Sequence, residues 1–204
     1  MDKKLVSIVD YNVGNLTSIF NAVRRCGYLC KITNKKYDFE KSDLLILPGV
    51  GTFYKAMNSL YKLNLINFLK DYAREGRPVL GICLGMQLMA DYSNEIFKCE
   101  GLGIIPGKII PIEKPKCHIG WNSINAHKRS CLREFNNTEL YFNHSFSYKC
   151  DYEYVHATSF VNYEMEKIAA CIKKDKTVGL QFHPEKSQQV GKFLLENLFN
   201  HLMD

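Results

Sequence analysis

Long hydrophobic runs are missing from this sequence of 204 residues. The longest apolar stretches, among them Leu44–Leu47 and Val79–Leu84, are far shorter than the roughly 20 residues that a membrane-spanning helix needs. The N-terminal Met1–Lys4 is followed only by the short run Leu5–Val9 and by no cleavage region, so a secretory signal is not expected. The sequence therefore predicts a cytoplasmic chain without a membrane segment.

Cysteine pairs and basic clusters are missing as well. None of the eight cysteines forms a Cys-x-x-Cys pair, which argues against zinc, and a disulfide framework is not expected in a chain of this size without an export signal. Most of the thiols are expected to be small buried groups. The net charge of +6 is scattered, its densest group is His127-Lys128-Arg129, and no nucleic-acid-binding module accompanies it. We therefore expect no metal, no organic cofactor and no nucleic-acid partner.

The sequence does contain enough apolar material for one sizeable domain. Apolar residues make up 46% and charged residues 24% of the chain, and both values are ordinary for a globular protein. Strand-like and helix-like segments alternate through the first half, which is typical of a parallel sheet with helices on both faces. The predicted segments are strands at Leu5–Val9, Tyr28–Ile32, Leu44–Leu47 and Pro78–Ile82, and helices at 16–23, 53–61, 63–74 and 84–90.

The second half has a different pattern, with shorter strand-like segments before a closing helix. The strands are predicted near 104–112, 141–143, 153–160, 167–172 and 177–182, and the helix over 188–202. We therefore predict a single α/β domain over residues 1–204. Its sheet is expected to be mostly parallel and flanked by helices, a flavodoxin-like arrangement, with an antiparallel β extension in the second half.

One cysteine stands between two glycines where a predicted strand ends. In Gly81-Ile82-Cys83-Leu84-Gly85 the strand passes into a helix through a tight turn, the arrangement of a nucleophile elbow. The positive end of that helix would favour the thiolate of Cys83. A buried cysteine that merely ends a strand remains the alternative for this motif taken alone.

A histidine and a glutamate follow a later strand. In Gln181-Phe182-His183-Pro184-Glu185, residues two apart project to the same side of an extended chain, so Glu185 could orient the ring of His183. His183 would then act as a general base toward Cys83 and as a general acid toward a leaving amine. A surface turn with an incidental histidine is the alternative.

Glycines also follow the predicted strand Leu44–Leu47. Pro48-Gly49-Val50-Gly51 lies at the carboxyl end of that strand, the edge where open α/β sheets bind ligands. Glycine lets backbone N–H groups approach a developing oxyanion. A plain turn is the alternative, and a phosphate-binding loop is disfavoured because no Gly-Lys-Ser/Thr ending follows. Together the three motifs predict an acyl-transfer or amide-hydrolysing enzyme.

The motifs Gly81–Gln87 and Phe182–Glu185 closely resemble those of the class I glutamine amidotransferases. The resemblance implies that Cys83, His183 and Glu185 form the triad that releases ammonia from L-glutamine. The glutamine and its oxyanion intermediate would be held by Gly49, Val50, Gly51, Leu84, Gln87 and Ser145.

Further segments resemble the glutaminase subunits of imidazole glycerol phosphate synthases. They are Asp10-Tyr11, Gly14–Leu16, Leu47–Phe53, Gly101–Gly107, His118–Asn122, Tyr141-Phe142, His144–Phe146 and Glu185–Gln188. This resemblance implies a heterodimer with a separate (β/α)8-barrel cyclase of histidine biosynthesis. That cyclase uses the ammonia to form imidazole glycerol phosphate and an aminoimidazole carboxamide ribonucleotide. The residues implied to face it are Asn12, Asn15, Trp121, Tyr141 and Lys186.

Several alternatives stay open from the sequence. Cys117 and Asn143 depart from the usual family pattern near the implied partner face, so a paralogous subunit that supplies ammonia to a surface-sugar enzyme is the runner-up function. A lone glutamyl or peptide hydrolase and an inactive binding subunit are further rivals. Trp121 could instead be a core residue, Lys186 a solvated charge, and His118 and His144 either site or structural residues.

Overall fold

The computed structural model describes residues 3–113, 116–161 and 166–204. In chain order the strands are β1 (Leu5–Val9), β2 (Leu29–Thr33), β3 (Leu44–Leu47), β4 (Val79–Ile82), β5 (Tyr92–Ser93), β6 (Cys99–Glu100), β7 (Lys108–Pro111), β8 (His118–Ser123), β9 (Asn125–Ala126), β10 (Glu139–His144), β11 (Phe146–Lys149), β12 (Val155–Val161), β13 (Glu166–Lys174) and β14 (Thr177–Leu180). The α-helices are α1 (Leu16–Arg25), α2 (Lys36–Glu40), α3 (Phe53–Lys62), α4 (Ile66–Arg74), α5 (Leu84–Gln87) and α6 (Gln188–Met203). None of the helices in the described ranges is long and apolar enough to span a membrane.

An eight-stranded sheet in the order β2-β1-β3-β4-β14-β13-β12-β9 organises the molecule. The first five strands of that order are parallel, and β13, β12 and β9 continue the sheet antiparallel. Because parallel strands run in one direction, the carboxyl ends of β3, β4 and β14 lie side by side at one edge. The predicted α/β class, with its antiparallel extension, is confirmed.

The central strands form because continuous apolar runs are buried on both faces. Every residue of β3, β4 and β14 is buried, and buried side chains from the helices cover the sheet on either side. The first helix begins where the Asn15 side chain accepts a hydrogen bond from the backbone N–H of Ser18, and it is followed by Gly27 at φ +87°. These elements follow the predicted pattern closely.

Strand β14 lies elsewhere than expected. Its segment was predicted within the antiparallel extension, yet it pairs parallel with β4 in the register Leu180↔Ile82 and antiparallel with β13. The physical reason is its complete burial, since a strand that is buried on both faces is stabilised in the middle of a sheet. This position brings the residues after Leu180 next to Cys83.

Other differences concern short elements. The helix predicted over 84–90 ends at Gln87, because the carbonyls of Leu88 and Met89 accept hydrogen bonds from the 102–105 segment. The predicted strand near 104–112 is confined to β7. Sequence periodicity missed α2, β5, β6, β8, β9 and β11, which have too few residues for a clear period or carry exposed aromatic residues.

Strand β8, which the sequence analysis missed, and strand β10, which it predicted in part, form a sheet separate from the main one. Strands β8 and β10 pair antiparallel in a two-stranded sheet, hereafter the β8–β10 ribbon, with Trp121 opposite Tyr141 and His118 opposite His144. A further four-stranded sheet has the order β11-β7-β5-β6. The ribbon lies beside the carboxyl edge of the main sheet, because the backbone N–H of His183 donates to the Tyr141 carbonyl at 2.8 Å.

The cysteines are less buried than expected. All eight are free thiols, and Cys83 and Cys171 are buried whereas the other six are only half-buried. The expectation that most would be buried is therefore wrong. The reason is their position: Cys30 lies on the edge strand β2, and Cys99 and Cys150 belong to or flank the small sheets at the surface.

Candidate active site

Cys83 occupies a strained turn between β4 and α5. Its φ of +54° and ψ of −109° lie in a region that side chains other than glycine rarely adopt. The turn packs tightly on the end of β3, because a Cβ at Gly85 would lie 1.8 Å from the Leu47 carbonyl oxygen. The backbone N–H of Cys83 donates to the Leu180 carbonyl at 2.7 Å. The sequence-predicted elbow is thus formed, and it holds the sulfur at the edge of the sheet.

The surroundings of the Cys83 sulfur are polar. Its Sγ lies 3.7 Å from the Asn143 carbonyl oxygen and 3.9 Å from Nε2 of Gln181. Leu84 is the first residue of α5, so its N–H has no acceptor within the helix and is free to bind an oxyanion. Hydrogen-bond donors and one acceptor therefore surround a nucleophile that is 6% exposed.

His183 and Glu185 form a buried pair next to Cys83. The Nδ1 of His183 is 2.8 Å from Oε1 of Glu185, and both side chains are 3% exposed. Ser187 fixes this turn, since its hydroxyl donates to the His183 carbonyl at 2.7 Å and accepts from the N–H of Tyr141 at 3.0 Å. The pairing predicted from the His-Pro-Glu spacing is present in the structure.

The charge state of His183 depends on three opposing contributions. Burial disfavours the imidazolium, but hydrogen bonds from the ring to Cys83 and Glu185, and the negative charges of those groups, raise the pKa of His183 to about 9. The ring therefore carries a proton near neutral pH. The protonated ring can therefore act as a general acid toward a leaving group.

The Pro48–Gly51 loop lies against the elbow. The Tyr11 hydroxyl donates to the Pro48 carbonyl, and burial with the nearby Cys83 charge raises the Tyr11 pKa, so this phenol stays neutral. A Cβ at Gly49 would come within 2.8 Å of Leu84 and of the Tyr11 hydroxyl oxygen. Gly51 has φ +108°, which glycine alone adopts readily, and Val50 is exposed.

A cavity of about 250 Å³ opens beside Cys83 and His183. The sequence-predicted substrate residues that line it are Val50, Gly51, Leu84, Gln87 and Ser145. Gly49 instead lines a separate narrow cavity behind His183. Sequence reasoning missed Glu95, whose carboxylate accepts from the Phe53 N–H at 2.6 Å and faces the larger cavity. No sequence motif marks Glu95, because a loop residue reaches this site only through the fold.

Gln87 is already engaged by its neighbours. Its Nε2 donates to the Phe146 carbonyl at 3.0 Å and to Oε1 of Gln181 at 3.1 Å. Gln181 in turn lies next to the Cys83 sulfur. The geometry therefore gives Gln87 a positioning role in the cavity wall.

Three of the five residues expected at a partner face form one cluster beyond His183. The rings of Trp121 and Tyr141 meet edge to face with centroids 6.0 Å apart, and Nζ of Lys186 lies 5.7 Å from the centre of the Tyr141 ring. Trp121 is 45% exposed, so the alternative of a core tryptophan is wrong. Tryptophan and tyrosine side chains are enriched at protein interfaces.

The two remaining residues lie in the turn before α1. Asn12 has φ +62°, and its N–H donates to the Asp10 carboxylate at 3.1 Å. Asn15 caps α1 and lines the narrow cavity behind His183 together with Lys186. Asn15 therefore lies near the Lys186 cluster, whereas the hydrogen bond found for Asn12 joins it to Asp10.

The fold brings several of the basic residues together in a place that is distant from Cys83. Lys128, Arg129, Arg133 and Lys173 line a cavity of about 490 Å³ between the 128–134 segment and α6. Two residues of the basic triplet noted in the sequence, Lys128 and Arg129, thus contribute to this surface. Among the described residues no group of three or more His, Cys, Asp or Glu side chains has a metal-binding arrangement.

Residues 7–202 match the family Glutamine amidotransferase class-I. The match covers nearly the whole chain, and the chain belongs to this family, as the cysteine and histidine motifs predict. It is therefore a glutamine amidotransferase.

Particular relatives point further. The imidazole glycerol phosphate synthase subunit HisH of Lactococcus lactis is 42% identical over 199 residues, covering 95% of this chain and 96% of the relative. The subunit HisH 1 of Campylobacter jejuni is 40% identical over 200 residues, covering 95% and 98%. PurLQS from Thermotoga maritima has a TM-score of 0.78 at 20% identity, with 98% of this chain and 100% of that chain covered. A glutamine amidotransferase from the same organism has a TM-score of 0.72 at 17% identity, with both chains covered fully. At these low identities the two solved structures show the common fold.

Proposed function

We propose that this chain is the glutaminase subunit of an imidazole glycerol phosphate synthase and supplies ammonia for histidine biosynthesis. The observation that carries the proposal is the convergence of Cys83, the buried His183–Glu185 pair and the Pro48–Gly51 loop on one cavity. Relatives named as HisH, 42% and 40% identical over nearly the full length, support the choice of synthase.

The reaction begins with attack of the Cys83 thiolate on the side-chain carbonyl carbon of glutamine. His183, protonated near neutral pH, gives its proton to the leaving nitrogen, and ammonia departs. The γ-glutamyl thioester remains on the sulfur. Water then attacks it with His183 as the base, which releases glutamate and returns the proton to the imidazole.

The cavity offers complementary groups for the amino-acid end of glutamine. Glu95 places a carboxylate at the wall, and this charge suits the α-ammonium group. Ser145 and the backbone next to it lie on the same wall and suit the α-carboxylate. With its α-amino and α-carboxylate groups bound in this way, glutamine would direct its side-chain amide toward Cys83.

The oxyanion site depends on the Pro48–Gly51 loop. The N–H of Leu84 is one donor, and an N–H from Val50 or Gly51 would be the second. Val50 is exposed and Gly51 has φ +108°, so a peptide rotation in this loop meets little steric resistance. A partner that contacts Val50 could therefore complete the oxyanion site and restrict turnover to the assembled enzyme.

Ammonia must leave without entering bulk water, where it would be protonated and lose its nucleophilicity. A narrow cavity of about 10 Å³ lies on the far side of His183, lined also by Glu185, Asn15 and Lys186. That volume matches roughly one water-sized molecule. One buried oxygen of Glu185, Oε2, has no hydrogen-bond donor among the described residues. The position of this cavity supports an exit that leads toward the Trp121–Lys186 cluster.

The proposed partner is a (β/α)8-barrel cyclase, bound as a heterodimer over Asn12, Asn15, Trp121, Tyr141 and Lys186. The names of the relatives describe a subunit, which supports a complex. The exposed Trp121 and its half-buried neighbour Tyr141 lie beside the exit cavity and give that complex a suitable anchor. The surface-sugar alternative receives no support from these relatives.

The test uses the purified chain and a glutamine-analogue diazoketone that alkylates active-site cysteines. We expect a single addition at Cys83, located by peptide mass spectrometry, and protection by glutamine. The matched control is Cys99→Ser, which removes a half-buried thiol outside the cavity and should be alkylated like the wild type. Alkylation that is spread over several thiols, or unaffected by glutamine, would contradict the proposal.

A second experiment tests whether the partner of this chain is the cyclase named in the proposal. The chain is mixed with the organism's barrel cyclase, and the mass of the complex is measured by light scattering. We expect a 1:1 heterodimer. Specific alkylation of Cys83 without binding to the cyclase would leave a glutaminase that serves another acceptor enzyme.

A further inference from the structure

Two buried histidines link the glutamine cavity to the outer strand of the β8–β10 ribbon. Nδ1 of His118 is 3.0 Å from Nε2 of His144, and Nδ2 of Asn122 is 3.1 Å from Nε2 of His118. At the other end, Nδ1 of His144 is 2.8 Å from the Phe146 carbonyl oxygen. His118 and His144 are 6% and 7% exposed, so solvent does not compete effectively for these contacts.

The two ends of this chain determine every proton position within it. A carbonyl oxygen only accepts, so Nδ1 of His144 carries a hydrogen, and Nε2 of His144 is then an acceptor in the neutral ring. His118 must donate to it from Nδ1. Nε2 of His118 accepts in turn from the Asn122 amide, which completes the chain without an unpaired ring nitrogen.

Both rings are held neutral. Burial lowers the pKa of His118 to about 4, and burial lowers that of His144 to about 3, assisted by repulsion from His118 and His183. The His118 ring also stacks on Phe142, with centroids 4.4 Å apart. Neutrality matters because a second proton on either ring would break the donor–acceptor order.

The chain of hydrogen bonds continues at both ends into parts of the proposed function. The Phe146 carbonyl also accepts from Gln87, which contacts Gln181 next to the Cys83 sulfur. At the outer end, Asn122 also donates to the Phe160 carbonyl at 2.5 Å and follows the exposed Trp121. A continuous set of hydrogen bonds therefore runs from Asn122, the neighbour of Trp121 in the proposed partner face, to the nucleophile.

We infer that His118 and His144 are positioning residues, which hold the 145–146 wall of the glutamine cavity in register with strand β8. This inference deepens the proposed function and rests on it. His144 lines the cavity and His118 does not, and both ring nitrogens of each histidine are already engaged in hydrogen bonds. Their effect is to fix the carbonyl of Phe146 and the backbone of Ser145, so that partner contacts on the ribbon are transmitted to the glutamine subsite.

The test compares His118→Gln with His118→Leu. A glutamine side chain supplies one donor and one acceptor, so it can replace both contacts, whereas leucine of similar volume supplies neither. The readout is the concentration of glutamine-analogue diazoketone that gives half the maximal rate of Cys83 alkylation, with and without the cyclase. We expect His118→Leu to raise that concentration about tenfold while the maximal rate changes less than about threefold, and His118→Gln to stay near the wild type.

A spectroscopic measurement separates positioning from a general loss of structure. Nitrogen-15 chemical shifts of the imidazole rings in the wild-type chain report which nitrogen carries hydrogen. We expect Nδ1–H forms for both His118 and His144 at neutral pH, and melting temperatures of the two variants within a few degrees of each other.

Two results would overturn the inference: Nε2–H at His144, or equal weakening in both variants. If the wild type is not alkylated at Cys83 at all, the proposed function fails, while the nitrogen shifts still decide whether the hydrogen-bond chain exists.

Discussion

The elbow around Cys83 and the β8–β10 ribbon are built in opposite ways. The elbow is buried and fixed by backbone contacts so tight that a Cβ at Gly85 would lie 1.8 Å from a carbonyl oxygen. The ribbon has two strands, and Ile119 and Trp121 on its outer strand are 63% and 45% exposed. Chemistry requires fixed geometry, whereas docking requires exposed side chains that a partner can cover.

The two regions meet at His183. Its N–H is bound to Tyr141 of the ribbon, while its ring pairs with Glu185 and faces Cys83. The elbow therefore holds the reactive groups, and the ribbon holds the side chains that a partner can contact. Variants in the elbow should abolish catalysis in any state of assembly, and variants in the ribbon should act through the partner.

The largest effect is expected at the nucleophile. Cys83→Ala removes the only atom that can form the thioester, so kcat for glutamine hydrolysis should fall by at least about 10³-fold. Glutamate release measured with the cyclase present checks this. Cys99→Ser should retain full activity, and substantial turnover by Cys83→Ala would rule out the covalent route.

Glu185→Gln should be the next most damaging change. It removes the carboxylate that supports the His183 imidazolium, so kcat should fall by about 10²-fold and the pKa of His183 should drop. The control is Glu196→Gln on α6, which makes the same chemical change away from the cavity and should leave kcat unchanged.

The pH profile of the wild type follows from the same pair. Burial opposes the imidazolium, but the contacts with Cys83 and Glu185 prevail and raise the folded pKa from 6.5 to about 9. The proton therefore stabilises the fold fully below pH 6.5, and this contribution is lost as the pH rises from 6.5 through 9. Denaturant titrations should show this decline, and it should be smaller in Glu185→Gln. A flat profile in the wild type would contradict the raised pKa.

Trp121→Ala tests the ribbon. Removal of an exposed aromatic anchor should raise the dissociation constant for the cyclase by roughly 30-fold, the loss typical of an interface hot spot. Titration calorimetry measures it. Phe193→Ala on α6 removes a comparably exposed aromatic side chain, 52% against 45% for Trp121, outside the proposed interface and should leave binding unchanged.

The smallest expected effect is a loss of folding stability at acidic pH. Histidines that are buried as neutral rings bind protons more readily once unfolded, so stability should fall as the pH drops from 6.5 toward 4. Because His118→Gln has no group to protonate there, its decline should be shallower. The measurement is the free energy of unfolding of the wild type and of His118→Gln at several pH values. Parallel curves for the two proteins would contradict the assignment of neutral buried rings.

Much of this arrangement could be predicted from local patterns. Apolar runs such as Leu44–Leu47 indicated the central strands, and glycines on either side of Cys83 indicated the elbow, because each depends on neighbours in sequence. Glu95 and the His118–His144 contact could not be found in that way, since tertiary packing alone brings these residues to the site. Strand β14 was misplaced for a similar reason: its pairing partner is nearly a hundred residues away along the chain.

The most direct test is glutamate release by the purified chain, measured alone and then with the barrel cyclase and its ribonucleotide substrate. We predict slow release by the chain alone and a rise of about 10²-fold or more in the full mixture, because a second oxyanion donor is completed only in the complex. An equal rate in both conditions would contradict the central claim that the partner controls the elbow.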